Sequence, residues 1–200
     1  MRETIVRQFK RPSGVLGRLA GWVMAHRESN LRRNQWAVSQ LGIAPDHKVL
    51  EIGCGPGIAL GHAAKQATRG GVYGLDHSEL MVHAARRRNA AAVEAGRVRV
   101  VHGTAETAVD LGERFDRVLA VNVLQFWDAP VDTLRALRQI MSQDGMIAIV
   151  FQPRNKGAND SDARRGAERN EQLLIEAGFR SVQTETLDLD PIVTCVLGRI

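Results

Sequence analysis

Two hundred residues suit a single domain with a substantial core, and an apolar fraction of 44% is enough to build one. A net charge of +5 admits a nucleic acid, an anionic membrane surface or an acidic substrate as partner and requires none of them. The only cysteines, Cys54 and Cys195, lie far apart, which excludes a disulfide framework and points to a reducing, cytoplasmic setting. No apolar run reaches the roughly 18 residues of a membrane span. Arg18 interrupts the apolar stretch 15–25, against a signal peptide, and Glu3 with little serine argues against a transit peptide.

Along the chain, Val15, Leu16, Leu19, Trp22, Val23 and Met24 recur at helical spacing, and a second helix over 30–42 is expected, with Asn30 as its cap. Basic residues concentrate here: Arg2, Arg7, Lys10, Arg11, Arg18, Arg27, Arg32 and Arg33 face only Glu3 and Glu28. A solvated helix face explains that excess without a polyanion. Strand 1 is expected at 48–52, then a glycine turn and a helix over 58–67. Strand 2 covers 72–75, and one long helix over 78–95 begins at a Ser78 cap. Strand 3 covers 98–101 and strand 4 covers 115–121. Pro130 opens the next helix, where its missing N–H costs nothing. A turn at 143–145 precedes strand 5 at 146–151. Residues 152–166 read as a polar loop, 168–177 as a helix, and 182–187 and 192–197 as closing strands. Alternating strands and helices predict an α/β fold: one doubly wound, mostly parallel seven-stranded sheet with helices on both faces. Residues 1–44 form an N-terminal helical cap, and 45–200 form one globular unit.

The stretch Val49-Leu50-Glu51-Ile52-Gly53-Cys54-Gly55-Pro56-Gly57 carries the most information. An apolar strand enters an acidic, glycine-rich turn, which is where open α/β folds bind ligands. A dinucleotide fingerprint fails, because the sixth position is Ile58 counting from Gly53 and Leu60 counting from Gly55. A P-loop fails too, since Ile58-Ala59 follows Gly57 in place of Gly-Lys-Ser/Thr. Glu51, read as lying inside the turn, would repel a phosphate and suits a cofactor with an ammonium group. A packing-only glycine turn is the alternative.

This stretch resembles motif I of the class I S-adenosylmethionine-dependent methyltransferases, acidic-x-Gly-x-Gly-x-Gly, and the likeness extends over about residues 45–200. The resemblance implies S-adenosylmethionine as cofactor, held at Glu51, Gly53, Gly55 and Gly57. Asp76, which closes strand 2, would take the ribose hydroxyls; a helix-terminal carboxylate is the competing role. His77 and Met81 would flank the adenine, although His77 also reads as an ordinary loop histidine. Ala105 would offer its N–H to the adenine ring. Thr104 replaces the family's aspartate and can still accept from the adenine amine. Asn122, ending strand 4, would stand near the methionyl part. The turn after it, Asn122-Val123-Leu124-Gln125, lacks both the Asn/Asp-Pro-Pro-aromatic turn of base-amino enzymes and the Pro-Cys of cytosine enzymes.

A small-molecule methyltransferase acting by in-line displacement is therefore expected. An RNA-associated methyltransferase using the basic arm, or a non-catalytic cofactor-binding protein, are the alternatives, with nucleic acid disfavoured. An NAD reductase would need Tyr-x-x-x-Lys, absent around the sole Tyr73. No catalytic residue is assigned; His26 in the cap is a candidate general base, with an ordinary helix histidine as the commoner alternative. The histidines show no zinc-ligand spacing, so no metal is expected. Phe126-Trp127 would wall a substrate pocket or pack in the core.

Overall fold

The computed structural model describes residues 28–200. The expected helix over 15–27, with Trp22 and His26, lies outside the described residues. In chain order the elements are α1 (Glu28–Gln40), β1 (Lys48–Ile52), α2 (Ile58–Gln66), β2 (Gly71–Asp76), α3 (Glu79–Arg88), α4 (Ala90–Glu94) and β3 (Val98–His102). A 3-10 turn (Glu106–Leu111), β4 (Phe115–Val121), a second 3-10 turn (Leu124–Phe126), α5 (Pro130–Gln139), β5 (Met141–Phe151), α6 (Asp160–Glu176), β6 (Arg180–Leu187) and β7 (Val193–Arg199) complete the fold.

The seven strands form one sheet in the order β3-β2-β1-β4-β5-β7-β6. β1 to β5 pair in parallel, and β7 runs antiparallel between β5 and β6. The seven-stranded, doubly wound expectation holds. The chain winds outward from β1 to β3, then returns to place β4 on the other side of β1. That reversal opens a crevice at the carboxyl ends of β1 and β4, where such sheets bind ligands.

Both faces are covered, which is why the inner strands read as nearly unbroken apolar runs. Side chains alternate across the sheet: Val49, Leu119, Ala148 and Val150 pack with Ala37, Val38, Ala59, Leu60 and Val82 from α1, α2 and α3. Leu50, Ile52, Val118, Ile147 and Ile149 pack on the other face with Leu134, Leu137, Ala167 and Leu174 from α5 and α6. Among the described residues no helix is long and apolar enough to cross a membrane.

α1 lies lengthwise on the α2 side of the sheet. Midway along it Arg33 donates to Gln152 Oε1 (3.0 Å), just past the carboxyl end of β5. At its end the Leu41 carbonyl accepts from Arg117 Nε (2.6 Å), near the amino end of β4. Asn30 is not the cap: it is buried inside the first turn, with Glu28 already helical.

The largest departures from the sequence reading are in α6, in β5 and in the helix after β2. α6 begins at Asp160, not Glu168, because Asn159 and Asp162 form a reciprocal capping box and the buried stripe uses Ala163, Ala167, Asn170 and Leu174. Gly166 within it has no Cβ, which would fall on the Phe151 ring, so helix and strand approach closely. β5 begins at Met141; the pairing slips between Phe115 with Met141 and Arg117 with Met146, so the predicted turn is a bulge. The single helix over 78–95 is broken at Asn89 into α3 and α4.

Candidate functional site

At the end of β1 the chain turns through Gly53 (φ 67°), Gly55 (φ 52°) and Gly57 (φ 76°), all in the left-handed region. Their surroundings differ. A Cβ on Gly53 would fall inside the Val123 side chain, and one on Gly57 would press on Asn89 Nδ2 (2.7 Å) and Ala85. A Cβ on Gly55 would meet nothing within 4 Å. Two of the three glycines therefore admit protein neighbours, and Gly55 faces open space. Cys54 between them is buried and works as a small apolar filler, burial pushing its thiol well above the ordinary value.

Glu51 does not lie inside the turn. It belongs to β1, is 3% exposed, and by alternation points to the α2 side with Val49. Its carboxylate accepts the backbone N–H of Leu60, in the first turn of α2. The N-cap position there is Gly57, which has no side chain to do this. The other oxygen, Oε2, is buried without a partner. Burial, and secondarily the Asp76 carboxylate, push the Glu51 pKa up to about 8.

Asp76 closes β2, buried, and latches the turn. Oδ2 accepts from the Gly55 N–H (2.8 Å) and Oδ1 from the Ser78 N–H (2.9 Å). Burial raises its pKa, against the pull of those two hydrogen bonds and of His77 and His102. The competing helix-terminal role is thus present in the structure, through the bond to Ser78 at the N-cap position of α3. His77 is exposed, its Nδ1 3.7 Å from Asp76 Oδ1, while Met81 is buried in α3. His102 Nε2 lies 3.0 Å from the His77 carbonyl and ties the β2 and β3 loops together.

Thr104 is exposed and Ala105 buried, at the end of the β3 loop. The Thr104 hydroxyl bonds to the Glu106 carboxylate, and this is the first cause of the lowered Glu106 pKa. Thr107 Oγ1 fixes the same loop by accepting the Thr104 N–H (3.0 Å) and donating to its carbonyl (3.0 Å).

Asn122 has a positive φ (54°) and uses its whole side chain on Gln152: Nδ2 donates to the Gln152 carbonyl (3.0 Å) and Oδ1 accepts its N–H (2.8 Å). Gln152, missed by sequence reasoning, is a buried hub. Besides accepting from Arg33, it donates through Nε2 to the Pro191 carbonyl (2.8 Å), joining α1, β4, β5 and the β6–β7 connection. Asn89, also missed, donates to the carbonyls of Gly57 and Ala85 (2.9 Å each), where Gly57 and Gly61 leave room for it. An asparagine inside a helical pattern was its one sequence signal. Phe126 is 40% exposed, whereas Trp127 packs against the α5 face of the core. Trp36 packs on the α2 side. Among the described residues no three His, Cys, Asp or Glu side chains gather as a metal site.

Residues 50–147, spanning β1 to β5, match the methyltransferase domain family. An uncharacterized methyltransferase of Bacillus subtilis, YdaC, is 28% identical over 173 residues, covering 86% of this chain and 92% of its own. A ubiquinone biosynthesis O-methyltransferase of Roseobacter denitrificans is 33% identical over 100 residues, half of this chain and 38% of that enzyme. Among solved structures, a SAM-dependent methyltransferase from Aquifex aeolicus superposes with a TM-score of 0.70 at 20% identity, covering 86% of this chain and 93% of the other.

Proposed function

We propose that this chain, which belongs to the class I S-adenosylmethionine-dependent methyltransferases, transfers the cofactor's methyl group to a small-molecule acceptor in the cytoplasm. The observation that carries the reading is the unpartnered, buried Oε2 of Glu51 at the glycine turn. Burial holds this carboxyl protonated, and an ammonium group beside it would favour the ionised form. S-adenosylmethionine supplies an activated methyl: the acceptor's lone pair bonds to the methyl carbon as the carbon–sulfur bond breaks and its electron pair stays on sulfur.

The residues of this chain bind and orient. Gly55 lets the ligand approach the backbone, because nothing of the protein occupies the space beside it. Asp76 spends two acceptor sites on Gly55 and Ser78, and an ionised carboxylate has about four, so two remain for ribose hydroxyls. Thr104 commits its hydroxyl to Glu106, which leaves oxygen lone pairs for the adenine amine, and Ala105 offers its N–H. His77 and Met81 take the two sides of the base. Asn122 and Gln152 hold the carboxyl ends of β4 and β5 in one geometry, and Asn122 contributes backbone beside the methionyl part. Positioning and water exclusion supply the rate enhancement.

A small acceptor is favoured by the plain connection after β5, which runs from Gln152 to α6 without an inserted element. A hydroxyl is the first acceptor class to test, since the Roseobacter relative is an O-methyltransferase. The test is transfer of radiolabelled methyl from the cofactor to a fractionated small-molecule extract and, separately, to total RNA. Label in the small-molecule fraction is expected. Label confined to RNA would replace the small-molecule reading.

A further inference from the structure

We propose that Asn89 is a positioning residue for the cofactor: from the break between α3 and α4 its amide sets the backbone at Gly57, and with it the part of the glycine turn that receives the methionyl end. The proposal rests on the methyltransferase reading and adds to it a residue that acts through the turn.

The sequence around it, Arg86-Arg87-Arg88-Asn89-Ala90-Ala91-Ala92, favours helix on both sides. The helix breaks there all the same: Asn89 has φ −108° and ψ 24°, and α4 starts afresh at Ala90. The side chain shows what the break achieves. It is buried, and Nδ2 donates to the Ala85 and Gly57 carbonyls (2.9 Å each). The Ala85 carbonyl already accepts the Asn89 N–H (3.1 Å), so that bond ties the amide to its own helix. The Gly57 carbonyl depends on the amide more. Its helical donor, the Gly61 N–H, lies 3.4 Å away, beyond the usual range for such a bond. Asn89 therefore supplies the short bond at the residue from which α2 starts.

Two glycines make room for this side chain. A Cβ on Gly57 would come within 2.7 Å of Asn89 Nδ2, and one on Gly61 within 2.8 Å of Oδ1. Gly61 lies inside α2, where alanine is the better helix former, and Asn89 is what its Cβ would meet. The turn is thereby held at both ends. At its start the Cys54 N–H donates to the Leu75 carbonyl (2.9 Å), and Asp76 Oδ2 accepts the Gly55 N–H (2.8 Å). At its end Asn89 holds the Gly57 carbonyl, while the Gly57 N–H closes the turn on the Cys54 carbonyl (2.9 Å). The open space beside Gly55 lies between these anchors. A chain so rich in glycine has many backbone conformations, and an anchor at each end selects the one that keeps that space open. Where only a fraction of molecules holds the competent geometry, the apparent Kd rises by the inverse of that fraction.

The test is titration calorimetry of the full-length protein with S-adenosylhomocysteine and with 5′-methylthioadenosine, which keeps the adenosine and the sulfur but lacks the amino-acid end. Asn89→Ala removes the anchor and leaves the Gly57 and Ala85 carbonyls their backbone donors. It should weaken S-adenosylhomocysteine binding by about three- to tenfold, the equilibrium factor of one ordinary hydrogen bond, and leave methylthioadenosine binding nearly unchanged. A role in stability alone would lower Tm and change neither affinity, or both by one factor. Gly61→Ala displaces the amide without removing it, so it tests the same link should Asn89→Ala fail to fold. It should weaken S-adenosylhomocysteine binding on its own and add no further loss in the Asn89→Ala background. Unchanged S-adenosylhomocysteine affinity in either folded variant, an equal loss for both ligands, or independent losses from the two substitutions would overturn the proposal and leave the methyltransferase reading standing. Absence of S-adenosylhomocysteine binding to the unaltered protein would remove both.

Discussion

Glu51→Gln is expected to change stability in a pH-dependent way that its geometry sets. In the unfolded chain this glutamate ionises at the ordinary carboxylate pKa; in the folded protein it keeps its proton up to about 8. Between those values the native state binds more protons than the unfolded one, so stability falls as pH rises. The loss is fully absent below the unfolded pKa and levels off above about 8. It amounts to about 3 kcal/mol at pH 7 and about 5 kcal/mol above pH 9. Glutamine cannot ionise, and its carbonyl can still accept the Leu60 N–H. Its amide nitrogen inherits the unpartnered place of Oε2, at a pH-independent cost of about 1–3 kcal/mol. The variant should therefore match or fall below the unaltered protein near pH 5 and exceed it at pH 8. At about 2–4 °C per kcal/mol for a chain of this size, the difference in Tm should swing by roughly 10 °C over that range. Thermal melts followed by circular dichroism from pH 4.5 to 8.5 measure it. Other titrating groups cancel in the comparison, save Asp76 beside Glu51. A Tm difference that stays constant across pH would refute the claim that Glu51 is held protonated.

Asp76→Ala should weaken S-adenosylmethionine binding by about 1.5–3 kcal/mol, the range for hydrogen bonds to charged groups, and free the Gly55 and Ser78 amides; calorimetry that finds an unchanged Kd would leave Asp76 as a turn latch only. Gly55→Val should fold with some strain at φ 52° and lose cofactor binding, because its side chain enters the one open space at the turn; normal binding would show that no ligand approaches there. Gly53→Ala should cost about 1–3 kcal/mol of stability by overpacking on Val123, and Val123→Ala should restore part of it. A double-mutant cycle in urea checks this, and strict additivity would contradict the contact.

The elements most legible in sequence were those whose burial is nearly complete. β1 and β4 read directly as apolar runs because both faces of the sheet are covered, and the glycine turn stood out because its backbone needs positive φ. Asp76 was legible as the acid ending β2. The start of α6 was not, since its buried stripe opens with Ala163, Ala167 and Asn170, two small residues and a polar one, which make no apolar periodicity. The bulge in β5 hid behind turn-forming residues 143–145. The break at Asn89 and the Gln152 hub depend on carbonyls contributed from distant parts of the chain, Gly57 and Pro191. No local pattern marks a polar side chain as the partner of such a group. The differing tasks of Gly53, Gly55 and Gly57 were likewise invisible, because they are set by what lies opposite each.

The most direct measurement is titration calorimetry of the full-length protein with S-adenosylmethionine and with NAD at pH 7, repeated in two buffers of different ionisation enthalpy. S-adenosylmethionine should bind and NAD should not. Because Glu51 is protonated in the free protein and should ionise against the ammonium group, binding should release about one proton, seen as a buffer-dependent heat. Tight NAD binding with no heat from S-adenosylmethionine would contradict the assignment of the glycine turn, and S-adenosylmethionine binding with no proton released would remove Glu51 from its centre.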